Sequence, residues 1–347
     1  MPDVWLPPAM GQESATGPLR IVAIGGGTGL SALLHGLKQH VGGRGPGPNV
    51  DIAAVVTVMD DGGSSGRLRR EFDVLPPGDI RNCIVALSED ETLLSRLFQY
   101  RFQSGRGLKG HSFGNLFLTA LTHITGDFTD AVRVSSEVLA IKGRIYPATA
   151  ASVVLEAVLE NGQRVQGETK ISRSRRRIES VHLRPRRCRP LPDVLAAIAQ
   201  ADLITLGPGS LFTSVVPNLL VEGIAKAIRN SAAIKAYFVN LMWQPGETTN
   251  FSASDHIRAI HRHARGKLLD YAVVNTREIR PALRRRYARQ ESAPVEPDFD
   301  QIGAMGVNVV CGDLVQESGL VRHNPDAVAA IAIELAAKGR RRRQMSR

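Results

Sequence analysis

Two glycine-rich turns carry the residue types best suited to binding an anion. Each turn follows an apolar run typical of a strand and precedes a helical pattern. Its backbone N–H groups would therefore lie at the positive end of a helix, where they can bind an anion. Two such turns on one sheet indicate a ligand with two anionic groups, such as a nucleotide diphosphate. The selected residues are Gly26, Gly27, Thr28 and Gly29 in the first turn, and Gly207, Pro208, Gly209, Ser210 and the nearby Thr213 in the second.

The first turn matches the common nucleotide-binding signatures only weakly. Gly27, Gly29 and Ala32 fit G-x-G-x-x-A, but no acidic residue ends the second predicted strand at the spacing that dinucleotide-binding proteins use. The sequence also contains no G-x-x-x-x-G-K-[ST] segment. These observations disfavour an NAD-dependent dehydrogenase and a P-loop nucleoside triphosphatase. Phosphate binding by the turn, rather than a purely structural turn, is our interpretation.

A pair of adjacent carboxylates, Asp60 and Asp61, follows the second predicted strand. Adjacent acids repel each other, so a divalent cation such as Mg²⁺, a sugar hydroxyl or the nearby Arg67 would be needed to offset their charge. If the protein is an enzyme, Asp60 and Asp61 are the candidate catalytic residues, and Asp61 is also the candidate metal ligand. The alternative is that Asp61 and Gly62 form a structural turn, and the residue types alone favour neither interpretation.

Amide, imidazole and charged side chains lie next to several other predicted elements. They suit recognition of a phosphate, a sugar or a base edge, although each could instead cap a helix or stabilise a turn. The sequence has no G-x-S-x-G or H-E-x-x-H segment, which gives acyl transfer and zinc hydrolysis no support. The further ligand-binding candidates are Arg67, Asn82, His111, Asn115, Asn240, Gln244 and Glu247.

Alternating strand and helix patterns must position these residues. Apolar runs at 20–24, 52–59, 201–206 and 236–240 are separated by segments of helical periodicity. This alternation predicts an α/β, Rossmann-like, doubly wound and mostly parallel sheet with helices on both faces. A strand pair turned at Asn161-Gly162 predicts a small β-hairpin decoration.

One domain, residues 19–338, accounts for this pattern in a chain of 347 residues. Residues 1–18 and the basic tail 339–347 are predicted to be disordered, and 170–190 is interpreted as a basic loop. The formal net charge is +11, but the basic residues concentrate in three short blocks with one aromatic, Tyr287, among them. Proteins that bind single-stranded nucleic acids interleave aromatics with spread positive charge, so we do not expect a nucleic-acid partner.

The spacing of the cysteines and the hydropathy of the sequence indicate the cellular compartment of the protein. Cys83, Cys188 and Cys311 are far apart in the sequence, which suggests neither a disulfide framework nor a zinc site. No apolar run reaches the roughly 18–20 residues that cross a bilayer. We therefore expect a cytoplasmic protein with no membrane span.

Six motifs, read together and in order, resemble a known family. They are GGGTGL, DDGGSSGRLR, PPGDIRNC, GHSFGNLFLTAL, GPGSLFTSVVPNLLV and NLMWQPGETTNFSASDHI, and they extend from about residue 20 to about residue 310. The sequence is similar to the gluconeogenesis factor family, also called YvcK, of the CofD-like superfamily. The resemblance implies a Rossmann-like fold, a cytoplasmic bacterial protein, and a role in cell shape, morphogenesis and growth on gluconeogenic carbon sources.

The same resemblance implies a ligand and two alternative functions. Family members are described as binding UDP-sugars or related nucleotides, which implies a nucleotide-binding regulator with protein partners in cell-wall regulation and a capacity for homo-oligomers. The related 2-phospho-L-lactate transferases use a nucleotide diphosphate carrier and a metal ion, so a phosphotransferase is the alternative. The DDGGSSG and NLMWQPGET segments resemble the regulatory branch, which favours a protein without catalysis. By this resemblance the two glycine turns cradle the phosphates, and the pocket wall contains Asp60, Asp61, Asn82, His111 and Asn115.

Overall fold

The computed structural model describes residues 17–43, 47–89 and 93–345, which form alternating strands and helices. The strands are β1 (Leu19–Gly25), β2 (Val50–Val56), β3 (Arg144–Pro147), β4 (Val154–Leu159), β5 (Arg164–Gln166), β6 (Ile178–Arg184), β7 (Leu203–Leu206), β8 (Ile234–Phe238), β9 (Tyr271–Asn275), β10 (Asn308–Gly312), β11 (Val315–Glu317) and β12 (Val321–His323). The helices are α1 (Gly27–Lys38), α2 (Gly63–Phe72), α3 (Gly78–Leu87), α4 (Leu93–Gln99), α5 (Phe113–Thr125), α6 (Phe128–Val138), α7 (Glu168–Arg173), α8 (Pro192–Gln200), α9 (Val216–Leu220), α10 (Ile224–Asn230), α11 (Ala253–His263), α12 (Pro281–Ala288), α13 (Phe299–Ala304) and α14 (Pro325–Met345). A π-helical turn, Leu211–Val215, leads directly into α9.

Seven strands form one parallel sheet in the order β10-β9-β8-β7-β1-β2-β3. The register places Ile24 of β1 between Leu206 of β7 and Val55 of β2, so these strands end at the same edge. Strands β1, β2 and β3 follow one another toward one edge of the sheet, and β7, β8, β9 and β10 follow one another toward the other edge. The order of the strands therefore reverses between β1 and β7. Open sheets bind ligands at such a reversal, beyond the carboxyl ends of the strands. The predicted doubly wound α/β fold is confirmed.

Alternate residues of the central strand β1 face two separate apolar layers. Val22 and Ile24 pack in one layer, and Ile21 and Ala23 pack in the other. Helices cover both layers, which explains why the strand is apolar throughout instead of alternating with polar residues. The central sheet therefore forms a rigid base for the loops at its carboxyl edge.

The chain between β3 and β7 forms a separate three-stranded antiparallel sheet in the order β5-β4-β6. The predicted hairpin decoration is confirmed, and Gly162 adopts the φ of +79° that its turn requires. The interpretation of 170–190 as a basic loop is wrong, because this segment contains the end of α7 and all of β6. Ile178, Val181 and Leu183 of β6 are buried, and this apolar packing outweighs the basic composition.

The basic tail is helical as far as Met345, the end of α14. Arg340 is only 7% exposed, and its guanidinium donates to the Asp202 carboxylate at 2.6 Å and to the Gly17 carbonyl at 2.7 Å. Arg343 approaches the same carboxylate at 2.7 Å. The prediction of disorder is therefore wrong for 339–345, since two tail arginines neutralise a buried aspartate. Residues 1–16 and 346–347, also predicted to be disordered, lie outside the described residues.

The cysteines and helices of the described residues indicate no disulfide and no single membrane-spanning helix. Cys83 and Cys188 are buried, Cys311 is half-buried, and each is free. In the described part of the chain, no single helix has the length and apolar character needed to cross a membrane. One bent helix pair, Leu211–Leu220 with Ile224–Asn230, meets the length and composition criteria alone, and both of its helices contribute side chains to the core.

Candidate functional site

A cavity of about 820 Å³ lies at the carboxyl ends of β1, β7 and β8, next to the reversal of strand direction. Its walls come from the two glycine turns, the loop after β8, helices α1, α3, α4 and α12, and the β11–β12 hairpin. This volume is within the range of about 300–1,000 Å³ typical of small-molecule sites. The predicted residues that line it are Gly26, Gly27, Thr28, Gly29, Asn82, Gly209, Ser210, Asn240 and Gln244.

The first glycine turn is packed tightly against the second. A Cβ atom on Gly29 would lie 2.7 Å from the carbonyl carbon and oxygen of Pro208, so only glycine fits there. A Cβ atom on Gly26 would lie 2.5 Å from Asp79 Oδ2. The backbone N–H of Gly27 donates to the Asp79 carboxylate. The start of α1, which we expected to hold a ligand anion, therefore already holds an acidic side chain of the protein.

The second glycine turn is supported by the loop that follows β8. Gln244 Nε2 donates to Ser210 Oγ at 2.6 Å, and the Gln244 backbone N–H donates to Thr248 Oγ1 at 2.9 Å. Asn240 lies on the same loop and accepts from the Tyr237 hydroxyl at 3.2 Å. These bonds fix Ser210, Gln244 and Asn240 at the cavity wall.

Glu247 lies behind that wall and does not line the cavity. It is 3% exposed, and its Oε1 accepts from the Phe212 backbone N–H at 2.8 Å. Burial raises the pKa of Glu247 to about 7, against the opposing effect of backbone N–H groups of Phe212 and Thr213. Thr213 lies beside this carboxylate, and Gly207, Pro208 and Thr213 are all outside the cavity lining. The second helix start is thus also filled by the protein itself.

Basic side chains dominate the charge of the cavity lining. Arg81, Arg96 and Arg322 line it, whereas none of its described lining residues is Asp or Glu. His35 and His323 also line it, and burial lowers the pKa of His323 to about 4, so that imidazole is neutral at pH 7. The cavity therefore favours an anionic ligand through guanidinium groups.

Arg81 is the most constrained of these basic residues. One of its terminal nitrogens donates to Asn82 Oδ1 at 2.6 Å, while its buried Nε has no acceptor within the described structure. Burial lowers the pKa of Arg81, and nearby Arg101 adds to that effect. An unsatisfied buried donor on the wall of a cavity is suited to a ligand oxygen.

Sequence reasoning missed several lining residues. Arg81 stands in the PPGDIRN segment beside the selected Asn82, and His35 follows Thr28 at helical spacing, so both had a usable signal. Trp243 directly precedes the selected Gln244 in the loop after β8, so it also had a usable signal. Arg322 and Tyr287 come from elements distant in sequence, and only the fold brings these two to the carboxyl edge of the sheet.

The acidic pair belongs to a separate cluster beside the cavity. Asp60 Oδ1 accepts from the Gly62 backbone N–H at 2.8 Å, and Asp61 Oδ1 accepts from the Thr169 backbone N–H at 2.7 Å. Burial and the charge of Asp60 raise the pKa of Asp79 to about 7. Burial, with the charges of Asp79, Asp60 and other acids, raises the pKa of Glu168 to about 9. Glu168 Oε2 is buried with no donor in the described structure, and sequence reasoning missed this residue.

Arg67, His111 and Asn115 hold α2 against neighbouring elements and do not line the cavity. His111 Nδ1 pairs with Ser64 Oγ at 3.0 Å, and Asn115 Nδ2 donates to Ser65 Oγ at 3.3 Å. Arg67 donates to the Lys109 carbonyl at 2.8 Å. Burial lowers the pKa of His111, which keeps the imidazole neutral at pH 7. These contacts fix α2, which directly follows Asp60 and Asp61, and so help to hold the acidic cluster in place.

The residues do not fit a preformed metal centre. Among 17–43, 47–89 and 93–345, no group of three or more His, Cys, Asp or Glu side chains converges as metal ligands would. Asp61, the candidate ligand, instead binds the start of α7 through Thr169. Asp60 and Asp79 remain close enough to interact, but Mg²⁺ held by one or two carboxylates normally also needs phosphate or water ligands.

Comparisons with known proteins agree with this fold. A family model described as 2-phospho-L-lactate transferase CofD matches residues 21–315. The gluconeogenesis factor of Bacillus subtilis is 45% identical over 317 residues, which cover 91% of this chain and 98% of that protein. The gluconeogenesis factor of Listeria innocua is 42% identical over 311 residues, covering 89% and 93% of the two chains.

A solved structure also matches nearly the whole chain. It is the crystal structure of a Bacillus halodurans protein of the UPF0052 family, with a TM-score of 0.85, 46% identity, and coverage of 90% of this chain and 98% of that one. The family model spans most of the chain, and the relatives are similar along almost their full lengths. The chain therefore belongs to the CofD family, within the group whose members are named gluconeogenesis factors.

Proposed function

We propose that this protein is a regulator that binds a nucleotide sugar, with a UDP-sugar as its ligand. It would act in the cytoplasm, in control of cell shape and in growth on gluconeogenic carbon sources. The observation that carries the proposal is the cavity at the strand reversal, whose lining contains three arginines and, among its described residues, no carboxylate. A diphosphate matches that charge, because guanidinium groups bind phosphate oxygens in a forked geometry.

The remaining lining residues suit the neutral parts of such a ligand. Asn82, Asn240 and Gln244 offer amide groups for sugar hydroxyls or base edges. Trp243 and Tyr287 offer aromatic faces against which a base or a sugar ring can pack. The unsatisfied Arg81 Nε would gain a phosphate oxygen as its acceptor.

Binding without turnover is favoured by the position of the acids. Asp60 and Asp61, the candidate catalytic residues, do not line the cavity, and Asp61 already binds Thr169. A regulator of this kind would pass the occupancy of its cavity to protein partners in cell-wall regulation or to a homo-oligomer. Ligand binding can do so only by favouring one conformation or assembly over another.

A phosphotransferase is the second candidate, and the acidic cluster favours it. Asp79 contacts the first glycine turn and interacts with Asp60, so an acceptor hydroxyl or a phosphate-bound Mg²⁺ could approach these acids from the cavity. In that case the acids would hold the acceptor, while the arginines would hold the diphosphate. The family description, which names a transferase, keeps this candidate relevant.

Calorimetric titration separates the two candidates. The ligands are UDP-N-acetylglucosamine, UDP-glucose and GDP, each with and without Mg²⁺, and the recovered ligand is analysed for turnover. The variant Arg81→Met should weaken UDP-sugar binding at least about tenfold, because it removes a buried charged hydrogen bond. Its control, Arg186→Met, removes an exposed arginine that does not line the cavity.

Either result is informative. Binding of an unchanged UDP-sugar without Mg²⁺, weakened by Arg81→Met alone, supports the regulator. Binding of GDP that needs Mg²⁺, with loss of turnover in Asp60→Asn, supports the phosphotransferase and contradicts the regulator. Equal weakening by Arg81→Met and Arg186→Met would contradict a ligand site in the cavity.

A further inference from the structure

Helix α12 lies over the rim of the cavity and buries none of its residues. Leu283 and Tyr287, one helical turn apart, pack partly against the core, and Tyr287 also lines the cavity. Arg280 Nε reaches the Glu317 carboxylate at 2.6 Å, and Arg286 donates to the Gly319 carbonyl at 2.8 Å. The helix is therefore held in place by one narrow face and its polar contacts, while most of its surface is exposed.

The outer side of α12 is strongly basic. At about 100° per residue, Arg285 and Arg289 lie opposite the packed pair Leu283 and Tyr287. Arg284 flanks them, and we call Arg284, Arg285 and Arg289 the basic face of α12. All three are exposed, and within the described structure none of their guanidinium groups has a hydrogen-bond or ion-pair partner. The paired arginines, Arg280 and Arg286, thus hold the helix, whereas the basic face is left for another molecule.

We propose that the basic face of α12 is a docking surface for an acidic segment of a partner protein. The argument is charge complementarity, because planar guanidinium groups form paired hydrogen bonds with carboxylates. Arg285 and Arg289 are one turn apart, which is also the spacing of two acidic residues at positions i and i+4 of a helix. An acidic helical segment therefore matches the surface best. The inference rests on the proposed function, since a regulator must contact a partner.

A nucleic acid fits this surface less well than a protein does. The aromatic residue of the helix, Tyr287, packs inward and cannot stack with bases on the basic face. Glu278 is exposed just before α12 and would repel a phosphate backbone that continued past the helix. Glu291, after the helix, is already paired with Arg175 at 3.1 Å. A short acidic segment can contact the basic face without extending to Glu278.

The test is the binding of a fluorescent helical peptide with glutamates four residues apart, followed by anisotropy at low salt. The same peptide with glutamines is the ligand control. The double variant Arg285→Ala/Arg289→Ala should weaken binding of the acidic peptide about fivefold, since each exposed ion pair contributes modestly. The matched variant Arg186→Ala/Arg187→Ala removes the same charge from two exposed arginines near β6 and should change binding less than about twofold.

The outcomes separate this surface from the ligand site. Equal weakening by the two double variants would overturn the proposal, because net charge alone would then explain binding. Tighter binding of single-stranded RNA than of the peptide, lost with Arg285 and Arg289, would overturn it in favour of nucleic acid. UDP-N-acetylglucosamine titrations of the same variants test the proposed function separately. Peptide binding that depends on the basic face in a protein that binds no nucleotide sugar would support the surface and contradict the regulator's ligand.

Discussion

Glu247 Oε1 accepts a 2.8 Å hydrogen bond from the backbone N–H of Phe212, at the helix start that follows the second glycine turn. Asp79 accepts from Gly27 at the corresponding place after the first turn. Both helix starts that resemble anion sites are therefore satisfied by carboxylates of the chain. The positive charge offered to a ligand comes instead from arginine side chains around the cavity.

The buried Glu247 should make stability depend on pH. Its pKa is raised from 4.5 to about 7 in the folded state, so the folded protein keeps a proton that the unfolded chain releases. The stabilisation from that proton is complete below about pH 4.5 and is lost as the pH rises through about 7. The variant Glu247→Gln should lack this loss, which amounts to a slope of about 1.4 kcal/mol per pH unit.

Urea denaturation between pH 4.5 and 7.5 would measure the effect as the difference between variant and wild type. The exposed Glu160→Gln is the control and should follow the wild type. A Glu247→Gln variant whose stability keeps the wild-type slope would mean that Glu247 is ionised in the folded protein throughout this range.

Gly29 should tolerate no side chain. The variant Gly29→Ala places a Cβ atom 2.7 Å from the Pro208 backbone and forces the two glycine turns apart. We expect a loss of stability of about 2 kcal/mol and a marked loss of nucleotide-sugar binding. Gly303→Ala is the matched control, because a Cβ there meets no atom within 4 Å and alanine favours its helix. Thermal denaturation and calorimetry test both effects, and normal binding by Gly29→Ala would show that the turns need not touch.

Asp61 should stabilise the start of α7 rather than bind the ligand. Its carboxylate accepts from the Thr169 backbone N–H at 2.7 Å, so Asp61→Ala leaves that donor unsatisfied at a cost of about 1–3 kcal/mol. Hydrogen exchange of the α7 amides should accelerate, while the affinity for UDP-N-acetylglucosamine stays the same. The exposed Asp193→Ala serves as the control. Unchanged exchange together with lost affinity would place Asp61 in the ligand site instead.

The buried ion pair of α14 should be worth a large part of the stability. Arg340→Met leaves the Asp202 carboxylate with Arg343 as its remaining guanidinium, and we expect a loss of about 3 kcal/mol in urea denaturation. Arg341→Met changes an exposed arginine of the same helix and should have little effect. The double variant Arg340→Met/Asp202→Asn should recover part of the loss, because it removes the buried charge as well. A stable Arg340→Met protein would indicate that Arg343 alone neutralises Asp202.

The sequence predicted those parts of the site that follow directly from strand ends. Gly26 to Gly29 and Gly209 to Ser210 meet in one cavity because parallel strands place their carboxyl ends at one edge of the sheet. His111 was selected on residue type alone, and its role depends on Ser64, which lies 47 positions away in the chain. Arg322 had no local signal, since the β11–β12 hairpin reaches the cavity only through the complete fold.

Composition misled the reading of the basic segments. A run of arginines predicts exposed chain, yet Arg340 finds a buried carboxylate that is 138 positions away. The same holds for β6, whose buried apolar side chains alternate with half-buried polar residues between the exposed Glu179 and Arg184. In both segments a few long-range contacts outweigh the average character of the sequence.

The contact of Arg340 with the Gly17 carbonyl brings the two ends of the described chain together. A flexible linker could therefore join Gly17 to Met345, and new ends could be opened at the exposed turn Asn161-Gly162. Such a circular permutant would keep every strand of the parallel sheet and should keep the cavity. The fold would then not depend on the order in which its strands and helices follow one another along the chain.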